Sequence, residues 1–369
     1  MEAFMELKEL YSPTFIQRLG AAVQREFPAV HPDQLLSDCL AGDWSELKLM
    51  ERRERIVTSL HRQLPADFEQ AAPILRAIAP QFTGLAAVCL PHYVARYGLA
   101  HWSTAMSLLE ELIRYSSSEF AIRPFLVRYP QATEAQMLRW AHDRDAAVRR
   151  LASEGLRPRL PWGSRLAQYV TDPTPIWPVL RVLMTDESEY VQKSVANNLN
   201  DISKDHPQAV IDWAQTYWDR TPQTTWILTR GLRTLFKQGN PTALALQGYA
   251  LTAADHLTAC SLTPVHQAAG LGTATTLQYA VTADTEQPLS VYLGYRVHYV
   301  RQRQAPTTKD FYLKRTTIQP GETVWGQLTR PWRQLTTRKL YSGDHVIELL
   351  VNTRVVATAH VQLAVGDSN

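Results

Sequence analysis

The sequence contains no HExxH, no Walker phosphate loop, no GxSxG elbow and no dinucleotide-binding fingerprint. Zinc proteolysis, P-loop nucleotide hydrolysis, α/β-hydrolase chemistry and nicotinamide chemistry are therefore not indicated. Cysteine is scarce: Cys39, Cys89 and Cys260 are isolated and odd in number. That excludes a disulfide framework and thiolate metal clusters, and predicts buried, reduced thiols with neither metal nor cofactor. No stretch approaches the roughly 18 uninterrupted apolar residues that a membrane span needs. The opening MEAFMELKELYS lacks the basic and apolar regions of a secretory signal, so a soluble, intracellular protein is expected. Global disorder is also excluded, because apolar residues make up 45% of the chain and 38 basic residues balance 35 acidic ones.

Charge becomes informative when it is counted by segment. Residues 1–252 hold 27 basic and 27 acidic side chains, and the rest hold 11 and 8. Between Arg144 and Arg165 six arginines face only Asp145 and Glu154, and between Arg296 and Lys339 ten basic residues face only Asp310 and Glu322. Two basic stretches with tryptophan inside them suit a polyanion-binding surface, or else solvate exposed faces.

Periodicity divides the chain in two. Up to about residue 250 apolar residues recur at helical spacing, as in SELKLMERRERIVTSLHRQL, and PADFEQAAPILRAI opens with the proline and acids of a helix N-terminus. Asp143, Val148, Arg149 and Arg150 match Asp186, Val191, Gln192 and Lys193 at an offset of 43 residues. A second echo, at an offset of 34, relates 200–213 to the run ending at Gly248. Such periods are those of HEAT-like helix pairs, each of which buries its apolar face by stacking on its neighbours. Beyond that point period-two alternation rich in Val, Thr and Tyr predicts about seven strands in an immunoglobulin-like sandwich, with PGE and SGD at turns. The expected fold is an α-helical HEAT-like repeat solenoid (1–252) followed by an all-β immunoglobulin-like sandwich (253–369).

Three stretches of the helical part carry acids that the repeat pattern does not require. Glu119 in SSSEFAIRPFLVRYP reads as a helix N-terminal acid or as a functional carboxylate. Glu154 precedes Gly155, a plausible helix C-terminal glycine, where an acid opposes the helix dipole. Asp201 follows Asn197, Asn198 and Asn200, a run with poor helix propensity that reads as a polar contact surface. Between them Arg157, Pro158, Arg159, Pro161, Trp162, Gly163 and Arg165 form a stiff basic connection that presents one indole. Trp162 is either a recognition side chain or a plug beneath its loop.

The strings EFAIRPFL, ASEGLRPRLPW and NLNDISKDHP, with TTRKLYSGDHVIELLVNTRVVATA near the end, resemble the AlkC family of alkylpurine DNA glycosylases, AlkD-related HEAT-repeat proteins many of which add an immunoglobulin-like domain. The resemblance covers nearly the full chain. It implies excision of cationic N-methylated bases (3-methyladenine, also 3-methylcytosine and 1-methyladenine) from duplex DNA without base flipping. By similarity Glu119, Glu154, Trp162 and Asp201 occupy the family's site, with Ser118 where alanine is more usual. Arg157, Arg159, Arg165, Lys193 and Lys204 are then candidate phosphate contacts, and Arg301 and Arg303 candidate DNA contacts in the β module. A cytoplasmic monomer that meets its duplex substrate at the nucleoid is expected, with no membrane or metal partner. A non-catalytic DNA-binding protein or a protein scaffold of the same architecture remain the alternatives.

Overall fold

The computed structural model describes residues 6–302, 304–335 and 339–365. The chain gathers into two compact units, residues 1–206 with 219–231, and residues 207–218 with 232–369. The change from helix to strand falls at Leu257, next to the boundary expected at residue 252. Packing nevertheless groups 207–218 and 232–252 with the strands.

In the first unit the amphipathic stretches form helices that pack on neighbours close in the chain. Pro13–Glu26 lies on Pro32–Leu40, Phe68–Ile78 on Trp102–Leu112, and Pro130–Trp140 on Ala146–Gly155. Their starts follow from local chemistry. Asp67 accepts a hydrogen bond from Glu69 N at 3.0 Å and Asp145 from Ala147 N at 2.9 Å, caps worth about 1 kcal/mol each. Pro13, Pro32, Pro130, Pro207, Pro222 and Pro241 each open a helix, where a missing N–H is harmless. The last two of the 34-residue echo, Pro207 and Pro241, thus hold the same position in their helices.

The 43-residue repeat is visible at the level of atoms. Asp143 Oδ1 accepts from Asp145 N at 2.7 Å, and Asp186 Oδ1 from Ser188 N at 2.9 Å. Six residues on, Arg149 Nη1 donates to Asp143 O at 3.0 Å, and Gln192 Nε2 to Asp186 O at 2.7 Å. The successive repeats are joined by a forked pair between Arg149 and Asp186, at 2.6 and 3.0 Å. Glu189–Ile202 is sandwiched between Ala146–Gly155 and Pro222–Gly231. A Cβ on Gly231 would stand 3.2 Å from Leu199 Cβ, so that glycine permits the close approach.

The second unit holds eight strands among the described residues: β1 (Leu257–Pro264), β2 (Ala268–Gly270), β3 (Ala274–Ala283), β4 (Leu289–Arg301), β5 (Gln304–Ile318), β6 (Thr323–Pro331), β7 (Gly343–Val351) and β8 (Arg354–Ala364). They form a three-stranded sheet, β1-β3-β6, and a five-stranded sheet, β2-β8-β7-β4-β5. The pairing is antiparallel except between β2 and β8. Leu277, Val281, Val297, Ile347 and Trp332 are all fully buried in the shared core, and the Trp332 indole donates to Thr275 Oγ1 at 2.7 Å. The β7–β8 hairpin turns on Asn352 and Thr353, both at positive φ as a type I′ turn demands. Asn352 is buried, donates to Ala250 O at 2.8 Å and accepts from Tyr292 N at 2.7 Å, which ties the turn to β4 and to the chain before β1.

Candidate active site

The three acids come from three segments and meet along one line. Glu119 sits in the turn before the helix Arg123–Arg128. Ser118 braces that turn by donating its hydroxyl to Leu109 O at 3.1 Å, a bond that an alanine could not make. Glu154 lies in the last turn of Ala146–Gly155, and Arg150, Glu154 and Arg157 share a stripe at spacings of four and three. On the facing helix Ser194, Asn198 and Asp201 repeat that spacing. Ser194 Oγ reaches Ser153 Oγ at 3.0 Å, Asn198 Nδ2 donates to Ser153 O at 2.8 Å, and Asp201 receives Arg157.

The result is a ladder of alternating charge. Glu119 Oε2 accepts from the Ser117 hydroxyl and Oε1 from Arg150 Nη1 at 2.9 Å. Arg150 Nη2 lies 3.9 Å from Glu154 Oε1. Arg157 Nη1 donates to the same Glu154 oxygen at 2.6 Å, and its Nε to Asp201 Oδ2 at 2.8 Å. Lys204 Nζ closes the line on Asp201 Oδ1 at 2.9 Å. Glu119, Glu154 and Asp201 are only 2%, 5% and 2% exposed, so their charges depend on these partners. Burial pushes the Glu119 carboxyl above its ordinary range, Arg150 opposes the shift, and the nearby Glu154 adds to it. Burial alone would weaken the Arg157 cation, but Glu154 and Asp201 outweigh it and hold the proton more firmly than usual. The second oxygen of Glu154 is buried without a hydrogen-bond partner.

The basic connection after Glu154 is held from below by a residue that the sequence reading passed over. Arg123 is fully buried and donates to Ser164 O at 2.7 Å, Arg157 O at 2.9 Å and Gly155 O at 3.0 Å. Trp162, carried on that loop, is 67% exposed and has φ of +64°, a left-handed conformation that bulky residues rarely adopt. It is therefore no plug. It borders a cleft of about 420 Å³ with Leu7, Leu49 and Met50, apart from the contacts of the ladder.

Other expectations need correcting. Arg157 is 6% exposed and engaged by two acids, so it is a structural counter-ion with little surface to offer a phosphate. Asn198, Asn200 and Asp201 are buried, an internal polar seam and not a contact surface. Gly155 has no positive φ; a Cβ there would meet Ile122 Cγ2 at 2.7 Å, so it serves close packing. Cys39 and Cys89 are buried, with thiols pushed up to about 11 and about 12, but Cys260 is only half-buried.

Among the candidate phosphate contacts, Arg159 forks onto Asp205 at 2.7 and 3.0 Å, Lys193 pairs with Glu189 at 3.3 Å, and Arg165 is exposed. In the second unit Arg301 is exposed at the end of β4, and Arg303 lies outside the described residues. Arg296, counted among the basic residues there, forks onto Asp310 at 2.7 and 3.0 Å. Arg150 and Tyr190 were missed at the site. The repeat alignment had placed Arg150 opposite Lys193, and its spacing of four from Glu154 was the available signal. Among the described residues no group of three or more His, Cys, Asp and Glu side chains could hold a metal ion, and no helix is long and apolar enough to cross a membrane.

Residues 51–229 match the family described as DNA alkylation repair enzyme, and residues 258–365 match the C-terminal Ig-like domain of the uncharacterised protein YhaZ. The uncharacterized protein YhaZ of Bacillus subtilis (strain 168) is 40% identical over 350 residues, which is 95% of this chain and 97% of that protein. The structure of the Pseudomonas fluorescens alkylpurine DNA glycosylase AlkC, bound to DNA containing an abasic site analog, is 36% identical. It covers 98% of this chain and 100% of that one with a TM-score of 0.92. With helical repeats followed by an immunoglobulin-like domain and these matches along nearly its whole length, the chain belongs to the AlkC-like family of DNA alkylation repair enzymes.

Proposed function

We propose that this protein is a DNA glycosylase that hydrolyses the N-glycosidic bond of cationic alkylated bases in duplex DNA. 3-Methyladenine is the leading substrate, with 3-methylcytosine and 1-methyladenine beside it. The observation that carries the reading is the set of three buried carboxylates, one with an unpartnered oxygen, at the helix seam of a family whose solved relative is an alkylpurine glycosylase.

The chemistry needs little more. A base alkylated on a ring nitrogen is already positive and leaves neutral when the glycosidic bond breaks, so no general acid is required. Positive charge passes to the deoxyribose, as in glycoside hydrolysis. Glu119, Glu154 and Asp201 stabilise that charge, and one of them takes a proton from the water that adds to the sugar carbon. The face of Trp162 adds cation–π attraction if the sugar lies against it. A normal base, being a poor leaving group, is spared. The lesion stays stacked in bent DNA while Arg159, Arg165, Lys193 and Lys204 contact phosphates, and Arg301 and Arg303 grip the duplex from the β module. No cofactor is needed, and a cytoplasmic monomer acting at the nucleoid fits this role. A purely DNA-binding protein gains nothing from three buried acids, which weighs against the non-catalytic alternative.

The test is to incubate the purified protein with N-methylated duplex DNA and measure released methylated bases for wild type, Glu119→Gln and Asp201→Asn. Wild type releases base, and each substitution lowers the rate by at least about a hundredfold, the size seen when one transition-state partner is removed. No release by wild type would sink the enzymatic reading. Full activity in both variants would sink the site.

A further inference from the structure

Resting on that reading, we propose that Glu119 and Glu154 form a cation site which Arg150 occupies while DNA is absent, and which the electron-poor sugar takes over when Arg150 moves away. Two buried carboxylates from different segments converge on one guanidinium, 2.9 Å from Glu119 and 3.9 Å from Glu154. Glu154 also keeps a buried oxygen with no partner, the mark of a ligand still to come.

The two arginines of the ladder differ in how firmly they are held. Arg157 makes ion pairs of 2.6 and 2.8 Å, has a side chain 8% exposed, and has its own carbonyl gripped by Arg123. It has no way out. Arg150 is 23% exposed and lies with its guanidinium carbon 4.1 Å from the ring centre of Tyr190, itself 48% exposed. It can leave toward solvent, where a phosphate is a strong bidentate competitor for a guanidinium.

Its departure changes the electrostatics at the moment they matter. Glu119 then keeps the Ser117 hydroxyl and a backbone hydrogen bond but faces Glu154 without a cation between them, and Glu154 shares Arg157 with Asp201. Net negative charge appears beside the sugar only once DNA is in place. Until then Arg150 masks the acids, and the free protein carries the corresponding conformational cost in its apparent affinity.

The experiment uses the full chain, with methylated duplex DNA under single turnover at saturating enzyme, for wild type, Arg150→Ala, Arg150→Lys and Tyr190→Leu. Guanidinium chloride at low millimolar concentration is the probe, against matched sodium chloride. Arg150→Ala binds DNA several-fold more weakly yet performs the chemical step at least as fast as wild type near pH 8; Tyr190→Leu moves the rate the same way, and Arg150→Lys lies between. The acid limb of the Arg150→Ala pH profile moves to higher pH, because the Arg150 cation no longer opposes the burial of Glu119. Guanidinium raises the melting temperature of Arg150→Ala, but not of wild type, and inhibits it competitively with DNA. Loss of the chemical step by about a hundredfold with rescue by guanidinium would show that Arg150 must stay in place, and overturns the proposal. So does the absence of any guanidinium-specific stabilisation. That thermal arm does not depend on turnover, so it still decides the cation site if wild type releases no base and the glycosylase reading itself fails.

Discussion

Arg123 offers the sharpest test of how the site is supported. Its guanidinium bonds three backbone carbonyls, that of Gly155 at the helix end and those of Arg157 and Ser164 in the loop that carries Arg159, Trp162 and Arg165, and Gly155 and Arg157 are buried. Although burial lowers its pKa to about 10, with Arg157 adding to the effect, it stays charged at neutral pH. Each hydrogen bond from a charged donor contributes about 1.5–3 kcal/mol, and stranding buried carbonyls adds a penalty. Because one side chain makes all three bonds the terms overlap and do not add in full, so Arg123→Met should cost about 3–5 kcal/mol. Urea unfolding followed by fluorescence reads it as a lower midpoint at unchanged slope. Limited proteolysis should open the 156–165 loop first, and the rate on methylated DNA should fall even where the protein is still folded. Arg123→Lys, which keeps the charge but not the fork, recovers only part. A loss below about 1 kcal/mol for Arg123→Met, with the loop still protected, would refute the clamp.

Gly155→Ala should destabilise by about 1–3 kcal/mol in thermal melts, because the new methyl meets the branched Ile122 side chain at 2.7 Å and only Met137 can yield. Trp162→Gly should leave stability unchanged or raise it by about 1 kcal/mol, since it removes a left-handed tryptophan at φ +64°, while base release falls. For Glu119→Gln the sign is set by burial. A carboxyl whose folded pKa is raised binds its proton more tightly when folded, so the wild type loses stability as pH climbs from its unfolded value through the folded one. The glutamine does not titrate. Its melting temperature should therefore gain on wild type between about pH 4.5 and neutrality, and a difference independent of pH would show that Glu119 is not strained.

Much of the fold was legible because periodicity is local information. The Asp-to-Val-to-basic echo at 43 residues marked equivalent positions, and the structure gives Arg149 and Gln192 the same bond to equivalent carbonyls. The alternating runs of β3 to β8 lay where the pattern put them, whereas the three-residue β2, which pairs in parallel, carries too little pattern to see. Long-range polar partners could not be read. Arg123 stood inside the apolar string EFAIRPFL with nothing to indicate that carbonyls 32 to 41 residues away would converge on it. Asn198 and Asp201 looked like surface because their helix propensity is poor, when the seam between two helices satisfies them internally.

The arginine count misled for a related physical reason. Of the six arginines between Arg144 and Arg165, four are held by acids: Arg149 by Asp186, Arg150 by Glu119, Arg157 by Glu154 and Asp201, and Arg159 by Asp205. A sequence tally treats them as one positive surface, but a guanidinium bonded to a buried carboxylate contributes little field to the outside and cannot move to a phosphate without exposing the acid beneath it. Arg149 and Arg157 are thus parts of the scaffold, and Arg159, on the half-exposed Asp205, is exchangeable. Among these six arginines Arg150 is the one that combines an outward path with a buried acid that its departure would unmask. In that sense the ladder's neutrality is conditional: its three acids are balanced by Arg150, Arg157 and Lys204, and Arg150 is the cation at the Glu119 end. A site that must attract positive charge at one step and tolerate buried carboxylates at every other needs a removable counter-ion of this kind, and a tally of charges along the sequence does not separate it from the fixed ones.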